Sequence, residues 1–356
     1  MKTIFVTGGA GFIGSALIRA ALGINNFQIV NIDKLTYSGN LSSIPNELQH
    51  ENYFFEKVDI CERQALKKLF TKYKPNGLIH LAAESHVDRS IDDPLSFIQT
   101  NIIGTYNLLE ESREYLNSID KSHKKNYRFH HISTDEVFGD LKINDPSFTE
   151  SSRYIPSSPY SASKASSDHL VRSWGKTYEM PILVTNCSNN YGPYHYPEKL
   201  IPHVILSALN GKEIPVYGDG KQIRDWLYVE DHAKALLHVY LNGIPGETYN
   251  IGGNCEKKNI DVINEICEIM DELIDKKPKK IDSFKELIKF VQDRPGHDKR
   301  YSVDNSKILN ELGWKPEETF KTGIIKTVNW YLDNRSWWQE IINKNYNFER
   351  LGKIDE

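Results

Sequence analysis

Two groups of residues have the types and the spacing for acid and base chemistry. Tyr160 and Lys164 lie four residues apart in "PYSASKASSDHL" and would share one face of a helix. A lysine cation beside a phenol lowers the pKa of the phenol by stabilising the phenolate. Tyr160 is therefore suited to remove a hydroxyl proton while a hydride leaves the same carbon, and Lys164 is suited to hold the ribose of a nicotinamide cofactor.

The second group is Thr134, Asp135 and Glu136, which stand side by side in "HISTDEVFG" after a predicted strand. Two like charges in a partly desolvated site push one pKa upward, so one carboxyl group is protonated while the other is ionised. The triplet therefore predicts an acid and a base that face a ligand crevice. The alternative interpretation is a solvated acidic loop beside an ordinary reductase tyrosine.

A glycine motif near the N-terminus predicts a dinucleotide site. In "VTGGAGFIG" Gly9, Gly11 and Gly14 fit GxGxxG, while Gly8, Gly11 and Gly14 fit a GxxGxxG variant. The missing side chains let the backbone approach a pyrophosphate, whose charge then lies at the positive end of the following helix.

Asp33, nineteen residues after Gly14, ends the second predicted strand and is placed to accept hydrogen bonds from the adenosine ribose. Its carboxylate repels a 2′-phosphate and favours NAD over NADP. Lys34 argues the other way, since a nearby cation tolerates a phosphate. We expect NAD.

The elements that must position these residues alternate between strands and helices. Strands are predicted at 3–7, 27–33, 53–59, 77–83, 127–133 and 181–187, and helices at 15–22, 62–73, 94–116 and 161–178. This order predicts an α/β fold with a Rossmann-type, doubly wound parallel sheet over residues 1–188. Loops rich in Gly, Pro, Asn and Tyr follow, so we expect a smaller mixed α/β substrate domain over 189–356, with some later segments returning to the first domain.

Composition excludes several classes of protein. A net charge of −4 argues against a nucleic-acid partner, and four scattered cysteines indicate neither a metal site nor a disulfide framework. No apolar run is long enough to span a membrane, and glycines interrupt the N-terminal run before a signal peptide forms. We expect a cytoplasmic protein.

With these motifs the chain resembles the extended short-chain dehydrogenase/reductase family, and within it the dTDP-glucose 4,6-dehydratases. The resemblance is carried over nearly the whole chain by "VTGGAGFIGS", "HLAAESHVDRSI", "STDEVFG", "YSASKASSDHLVR", "NCSNNYGPYHYPEKLIP" and "DRPGHDKRYSVD". It implies conversion of dTDP-glucose to a 4-keto-6-deoxy sugar with a tightly bound NAD regenerated in each cycle, in a pathway of the dTDP-rhamnose type. It assigns Asp135 as the acid and Glu136 as the base, and it implies a homodimer that pairs helices 94–116 and 161–178.

The remaining site residues follow from the carboxyl edge of the predicted sheet and from this resemblance. The implied cofactor residues are Gly8, Gly11, Phe12, Ile13, Gly14, Asp33, Lys34, Leu35, Thr36, Asp59, Ile60, Leu81, Ala82, Ala83, Ser85, Thr100, Tyr160, Lys164 and Asn190. The implied substrate residues are Ser85, Thr134, Asn189, Lys199, Leu200, Pro215, Tyr217, Arg224, Asn259, Arg294 and His297.

Three alternatives stay open at this stage. A nucleotide-sugar 4-epimerase would use NAD, Thr134, Tyr160 and Lys164 but has no need of the two acids. A non-catalytic NAD-binding sensor would not need the Tyr–Lys pair. The nucleotide base rests on resemblance alone, so CDP- and UDP-glucose remain possible substrates.

Overall fold

The computed structural model describes residues 1–24, 26–48, 51–293 and 297–345. The strands are β1 Lys2–Thr7, β2 Phe27–Ile32, β3 Tyr53–Glu56, β4 Gly77–His80, β5 Phe129–Thr134, β6 Ile182–Cys187, β7 Asn189–Tyr191, β8 Ile214–Tyr217, β9 Ile223–Tyr228, β10 Thr248–Ile251, β11 Glu256–Lys258 and β12 Ile288–Val291. The helices are α1 Phe12–Gly23, α2 Arg63–Tyr73, α3 Val87–Asp92, α4 Pro94–Phe97, α5 Thr105–Ser118, α6 Lys121–Asn126, α7 Pro159–Tyr178, α8 Leu200–Leu209, α9 Val229–Asn242, α10 Asn259–Leu273, α11 Ser306–Leu312, α12 Phe320–Asp333 and α13 Arg335–Asn345. In these ranges no helix is both long enough and apolar enough to cross a bilayer.

A parallel sheet of seven strands forms the centre of the molecule and confirms the predicted fold class. Its order is β3-β2-β1-β4-β5-β6-β10, so the chain runs outward in one direction from β1 and in the other from β4. Ligands of open α/β sheets bind in the crevice where this direction changes, beyond the carboxyl ends of the strands. Thr7 at the end of β1 is paired in register with His80 at the end of β4, which places the crevice at these two residues.

Apolar layers cover both faces of this sheet and bury its inner strands, apart from the first two residues of β1 and one residue of β2. Ile4 and Val6 of β1 pack in one layer with residues of α1, whereas Phe5 between them packs in the opposite layer. The ring of Phe5 meets that of Phe70 on α2 edge-on at 5.1 Å. Both layers anchor β1, so the glycine turn that follows it starts from a fixed point.

The later part of the chain builds a smaller unit with its own core. Strands β11, β9 and β7 form one small sheet and β12 and β8 another, and a core that includes Ile205, Ile263, Phe284 and Tyr331 joins them to α8, α10, α12 and α13. Two later segments lie on the first sheet instead, since β10 pairs with β6 and α9 packs on α1. The boundary at residue 188 stays a prediction, with β10 and α9 as segments that return.

The helix predicted over 94–116 is interrupted. Between α4 and α5 the segment Ile98–Gly104 is a π-helix, whose wider turn accommodates an additional residue. Asn101 within it is buried and ties two other segments together: its amide accepts from the Glu84 backbone N–H at 2.9 Å and donates to Ser163 Oγ at 2.8 Å. The same turn places Thr100 at the crevice.

Candidate active site

The glycine turn after β1 leaves no room for a side chain at Gly8 or at Gly14. Gly8 has φ +70°, and a Cβ there would lie 2.6 Å from the backbone nitrogen of Ala82. A Cβ on Gly14 would lie 2.2 Å from the carbonyl oxygen of Gly8. Strands β1 and β4 and the start of α1 therefore meet closely around a cradle of backbone groups that suits a pyrophosphate.

Asp33 lies at the end of β2, where the sequence predicts the ribose-binding acid. Its carboxylate accepts hydrogen bonds from the N–H of Ala10 at 3.0 Å and of Leu35 at 2.8 Å. Burial raises the pKa of Asp33 from its ordinary value, and these two backbone donors oppose that rise. Leu35 adopts a left-handed backbone with φ 57° and does not line the cavity, so its contribution is the backbone donor to Asp33.

The ammonium group of Lys34 lies close to two acidic side chains. Its Nζ lies 3.5 Å from Asp59 Oδ2 and 3.8 Å from Glu84 Oε1, and it donates to Thr100 Oγ1 at 3.4 Å. Two carboxylates thus offset the charge that would have favoured a 2′-phosphate.

One continuous cavity brings most of the predicted residues together. The predicted residues that line it are Gly8, Gly11, Phe12, Ile13, Gly14, Asp33, Lys34, Thr36, Asp59, Ile60, Leu81, Ala82, Ala83, Ser85, Thr100, Thr134, Asp135, Glu136, Tyr160, Lys164, Asn189, Asn190, Lys199 and Leu200. The glycine turn and the acidic triplet therefore belong to a single site.

The first turn of α7 presents Tyr160 to this cavity. Ser158 and Ser161 form a reciprocal capping box and Pro159 occupies the first turn, so the helix start is well fixed. Lys164 follows one turn later, nearly fully buried, and donates from Nζ to the carbonyl oxygen of Ile132 at 2.8 Å.

The pKa of Tyr160 differs from the sequence prediction. Burial and then the negative charge of Glu136 raise the pKa of the Tyr160 phenol well above its ordinary value, and a hydrogen bond with Thr134 opposes the rise only in part. The expectation of a lowered pKa was wrong for the protein by itself, because it weighed the lysine charge and not the loss of water around the phenol.

Asp135 is held as a buried acid. A 3₁₀ turn, Asp135–Phe138, starts directly after β5, and Thr134 caps it by accepting from the N–H of Glu136 at 3.3 Å. Asp135 Oδ1 accepts from Thr134 Oγ1 at 3.2 Å, while its buried Oδ2 has no hydrogen-bond partner among the described residues. Burial first, and then the charge of Glu136, raise the pKa of Asp135 well above its ordinary value.

Glu136 is less enclosed than its neighbour, since it is half-buried at the cavity wall. Its charge acts on both Asp135 and Tyr160, which places the three groups in one electrostatic unit. The two adjacent acids therefore differ in their surroundings: Asp135 is enclosed and its pKa is raised, whereas Glu136 is more accessible.

A second cluster contains predicted substrate residues that do not line this cavity, namely Pro215, Tyr217, Arg224, Asn259 and His297. Contacts around Gln222 connect two of them, Asn259 and His297: the Gln222 carbonyl accepts from the N–H of Asn259 at 2.9 Å, and its amide donates to Asp293 at 3.0 Å. Asp293 in turn pairs with His297 at 2.6 Å. The guanidinium of Arg224 lies 4.5 Å above the ring of Tyr301, and Arg294 lies outside the described residues.

Of the segment 192–199, which lies along the cavity, the sequence analysis named only Lys199 as a site residue. The ring of His195 stacks on that of Phe12 at 3.9 Å. The buried carboxylate of Glu198 accepts from the Tyr37 hydroxyl at 3.0 Å and from Arg89 at 3.0 Å. Only the fold brings these segments together, so their separate positions in the sequence gave no signal.

Asn190 has a buried partner that was also missed. His232 on α9 lies with Nδ1 2.9 Å from Asn190 Oδ1, and burial lowers the pKa of this histidine to about 3. A neutral His232 that donates from Nδ1 fixes the orientation of the Asn190 amide, whose Nδ2 donates to the carbonyl of Ser188 at 2.9 Å.

The sheet, the glycine turn and the Tyr–Lys pair at its carboxyl edge define a Rossmann-type fold of the short-chain dehydrogenase/reductase class. The family model described as GDP-mannose 4,6 dehydratase matches residues 5–327, and the chain belongs to that family.

Relatives with closely similar sequences carry a more specific name. The chain is 58% identical over 360 residues to an Escherichia coli protein named dTDP-glucose 4,6-dehydratase, with 99% of each chain covered. The crystal structure of the enzyme of that name from Bacillus anthracis, in complex with NAD, matches with a TM-score of 0.84 and 41% identity over 96% of this chain and all of the other. A Streptomyces venezuelae structure of the same description, also with NAD, matches with a TM-score of 0.85 and 38% identity over 95% and 99% of the two chains.

Proposed function

We propose that the protein is a dTDP-glucose 4,6-dehydratase, which converts dTDP-glucose to dTDP-4-keto-6-deoxyglucose and water. The observation that carries the proposal is Asp135, a buried acid with a raised pKa, whose Oδ2 has no hydrogen-bond partner in the described part of the chain and which lies next to the Thr134 and Tyr160 of the oxidation site. Oxidation alone needs no such acid, whereas loss of a C6 hydroxyl as water needs one.

The cavity fits NAD. Gly8 and Gly14 leave room for a pyrophosphate, and Asp33 would accept from the adenosine ribose. Asp59 and Glu84 offset Lys34, which favours a ribose without a phosphate. When bound, NAD supplies the hydride acceptor at C4 and the hydride donor at C6.

The oxidation step depends on a proton transfer that Tyr160 performs. Its phenolic oxygen takes the proton of the C4 hydroxyl, while Thr134 Oγ1 hydrogen-bonds the same oxygen. Because burial and Glu136 raise the pKa of Tyr160, the phenolate needs a nearby positive charge, which Lys164 on the same helix face provides.

The elimination step uses the acid and the base in turn. The C4 ketone makes the C5 proton acidic, and Glu136 removes it. Asp135 donates its proton to the C6 hydroxyl, which leaves as water, and a proton is later restored at C5. General acid and base assistance of this kind is worth roughly 10²–10⁴-fold in rate for each group.

The nucleotide is placed by both groups of substrate residues. Ser85 and Asn189 line the main cavity and suit the sugar hydroxyls, with Leu200 beside them. Lys199, which also lines it, and the second cluster around Arg224 suit the diphosphate and the base. Arginine offers a planar fork that matches phosphate oxygens. Thymidine as the base is supported by the names of the relatives.

The test follows the hydrogen on C4. dTDP-glucose that carries deuterium at C4 is converted by the purified enzyme, and the product is examined by NMR. We expect a C4 ketone with deuterium at C6. An NDP-galactose product without loss of water would instead establish the epimerase, and deuterium that stays at C4 would refute the internal transfer.

We also propose a homodimer. The segment 94–104 exposes Leu95 at 69%, Ile98 at 47% and Ile103 at 39%, which is unusual for apolar residues grouped in one short segment. A second copy that pairs this segment and α7 would cover them. Light scattering of the wild type and of Leu95→Glu tests this proposal, because a wild-type monomer would contradict it.

A cytoplasmic location and a pathway of the dTDP-rhamnose type are part of the same proposal.

A further inference from the structure

Asp168, which takes no part in the proposed proton transfers, is a fully buried carboxylate on α7, one turn after Lys164. Its Oδ1 lies 3.0 Å from His131 Nε2. Its Oδ2 accepts from Ser133 Oγ at 2.8 Å and from the Tyr154 hydroxyl at 2.8 Å. A carboxylate is costly to bury, and this many hydrogen-bond donors hold it in one geometry.

These contacts lead directly to the catalytic triplet. Asn186 on β6 donates to Asp168 Oδ2 at 3.4 Å and to the carbonyl oxygen of Thr134 at 3.1 Å. Ser133 immediately precedes Thr134 on β5, and Lys164 donates to Ile132 on the same strand. The carboxylate thus fastens α7, which carries Tyr160 and Lys164, to the strand end that carries Thr134, Asp135 and Glu136.

The same carboxylate is the charge that balances Lys164. Burial lowers the pKa of Lys164, and Asp168 is the first opposing influence. Burial would by itself raise the pKa of Asp168, but the hydrogen bond from His131 and the positive charges around it bring that pKa below its ordinary value. Asp168 is therefore ionised at neutral pH.

The other titratable groups that face this pair do not supply a negative charge. Burial lowers the pKa of His80 on β4 well below its ordinary value and that of His131 on β5 to about 4, so both are neutral. Burial raises the pKa of the Cys187 thiol on β6 to about 12. Arg172 on α7, which donates to the Tyr154 hydroxyl at 2.8 Å, adds a positive charge.

We propose that Asp168 is a positioning residue for the oxidation at C4, because its buried charge keeps Lys164 cationic and its hydrogen bonds hold the end of β5 against α7. The inference rests on the proposed function only through that first step, which an epimerase would share. A neutral Lys164 would not stabilise the Tyr160 phenolate, and it would not offer a charged ammonium to the ribose of the nicotinamide cofactor.

The test is the pH dependence of NADH formation in a single turnover of the holoenzyme with dTDP-glucose. Asp168→Asn keeps the size of the side chain and removes the charge. Loss of a neighbouring opposite charge lowers the pKa of Lys164, so the alkaline limb of the rate should move to lower pH by about one to three pH units. At pH values below that limb, the rate should stay within about tenfold of the wild type. This loss is smaller than the loss expected when one general base is removed, which is roughly 10²-fold or more.

Tyr154→Phe is the matched control, since it removes one hydrogen bond to Asp168 and keeps the charge. Its alkaline limb should stay at the wild-type pH. Asp168→Glu retains the charge as well, and its limb should also stay in place even where the melting temperature falls; this variant decides the matter if Asp168→Asn does not fold.

Two results would overturn the proposal: a rate for Asp168→Asn that falls by the same factor at every pH, or an alkaline limb that shifts in Asp168→Glu. Failure of the proposed function would look different. The wild type would then yield no 4-keto-6-deoxy product, while the comparison of pH profiles would still stand.

Discussion

Replacement of Asp135 by Asn should separate oxidation from elimination. Asn has the size of the protonated carboxylic acid, and its side-chain oxygen can still accept from Thr134 Oγ1, the hydrogen bond that Asp135 makes at 3.2 Å. Its other terminal atom takes the place of Oδ2, which lacks a partner among the described residues. The exchange therefore removes a transferable proton and little else.

The magnitude follows from that geometry. Because the hydrogen bond with Thr134 is retained, the rate of elimination should fall only by the contribution of one general acid, roughly 10²–10⁴-fold. This corresponds to about 3–5 kcal/mol in activation free energy. Oxidation at C4 does not use Asp135, so its rate should stay within about threefold of the wild type, a change worth under about 1 kcal/mol.

The assay is stopped-flow absorbance of NADH together with NMR of the product. We expect NADH to appear at the wild-type rate and to accumulate, while water is lost slowly. Asp92→Asn, an exchange at an exposed position of α3, is the control and should behave as the wild type. Wild-type elimination by Asp135→Asn would refute the role of acid, and equal loss of oxidation and elimination would show that the residue is needed for binding or folding instead.

Three other predictions test the base, the cofactor cradle and the buried histidines. Glu136→Gln should accumulate NADH and stop the exchange of the C5 proton with heavy water; exchange at the wild-type rate would exclude Glu136 as the base. Gly8→Ala should yield protein without NAD, since a left-handed Ala costs about 1–2 kcal/mol and its Cβ would meet the Ala82 nitrogen, and a normal NAD content after purification would contradict this. Burial lowers the pKa of His130, His131 and His232 to about 3, 4 and 3. Below pH 6.5 the unfolded chain therefore binds more protons than the folded chain, and the free energy of unfolding should decrease as the pH falls from there to about 4, by roughly 3 kcal/mol for His131. Urea unfolding at several pH values can measure this decrease.

The sheet and the positions of the two motifs proposed to be catalytic were predictable because each depends on local pattern. Buried apolar runs indicate the parallel strands, and polar residues that follow such a run lie at the carboxyl edge of the sheet. Thr134 at the end of β5 and Asp33 after β2 were located in this way. The strands predicted at 53–59 and 77–83 end earlier, at Glu56 and His80, because the residues after them turn to line the cavity.

What escaped prediction depends on contacts between distant segments. Asp168 is four residues after Lys164 on a helix, a spacing typical of exposed ion pairs, and only its donors on β5 and β6 reveal that it is buried. The contacts of Asn101 in the π-helical turn with Glu84 and Ser163 likewise join segments that are distant in the sequence. The raised pKa of Tyr160 depends on how much water the whole fold excludes, which spacing does not encode.

The return of β10 and α9 to the first sheet has a consequence for the order in which the protein is made. Ala16 and Arg19 of α1 are covered by Ala233 and Glu230 of α9, and the outer edge of β6 is paired by residues 248–251. A nascent chain that ends near residue 188 therefore has an unpaired edge strand and an uncovered apolar helix, both of which promote association with other chains. The seven-stranded sheet can be completed only after residue 251 has left the ribosome, so the edge of β6 and the apolar face of α1 stay uncovered until then.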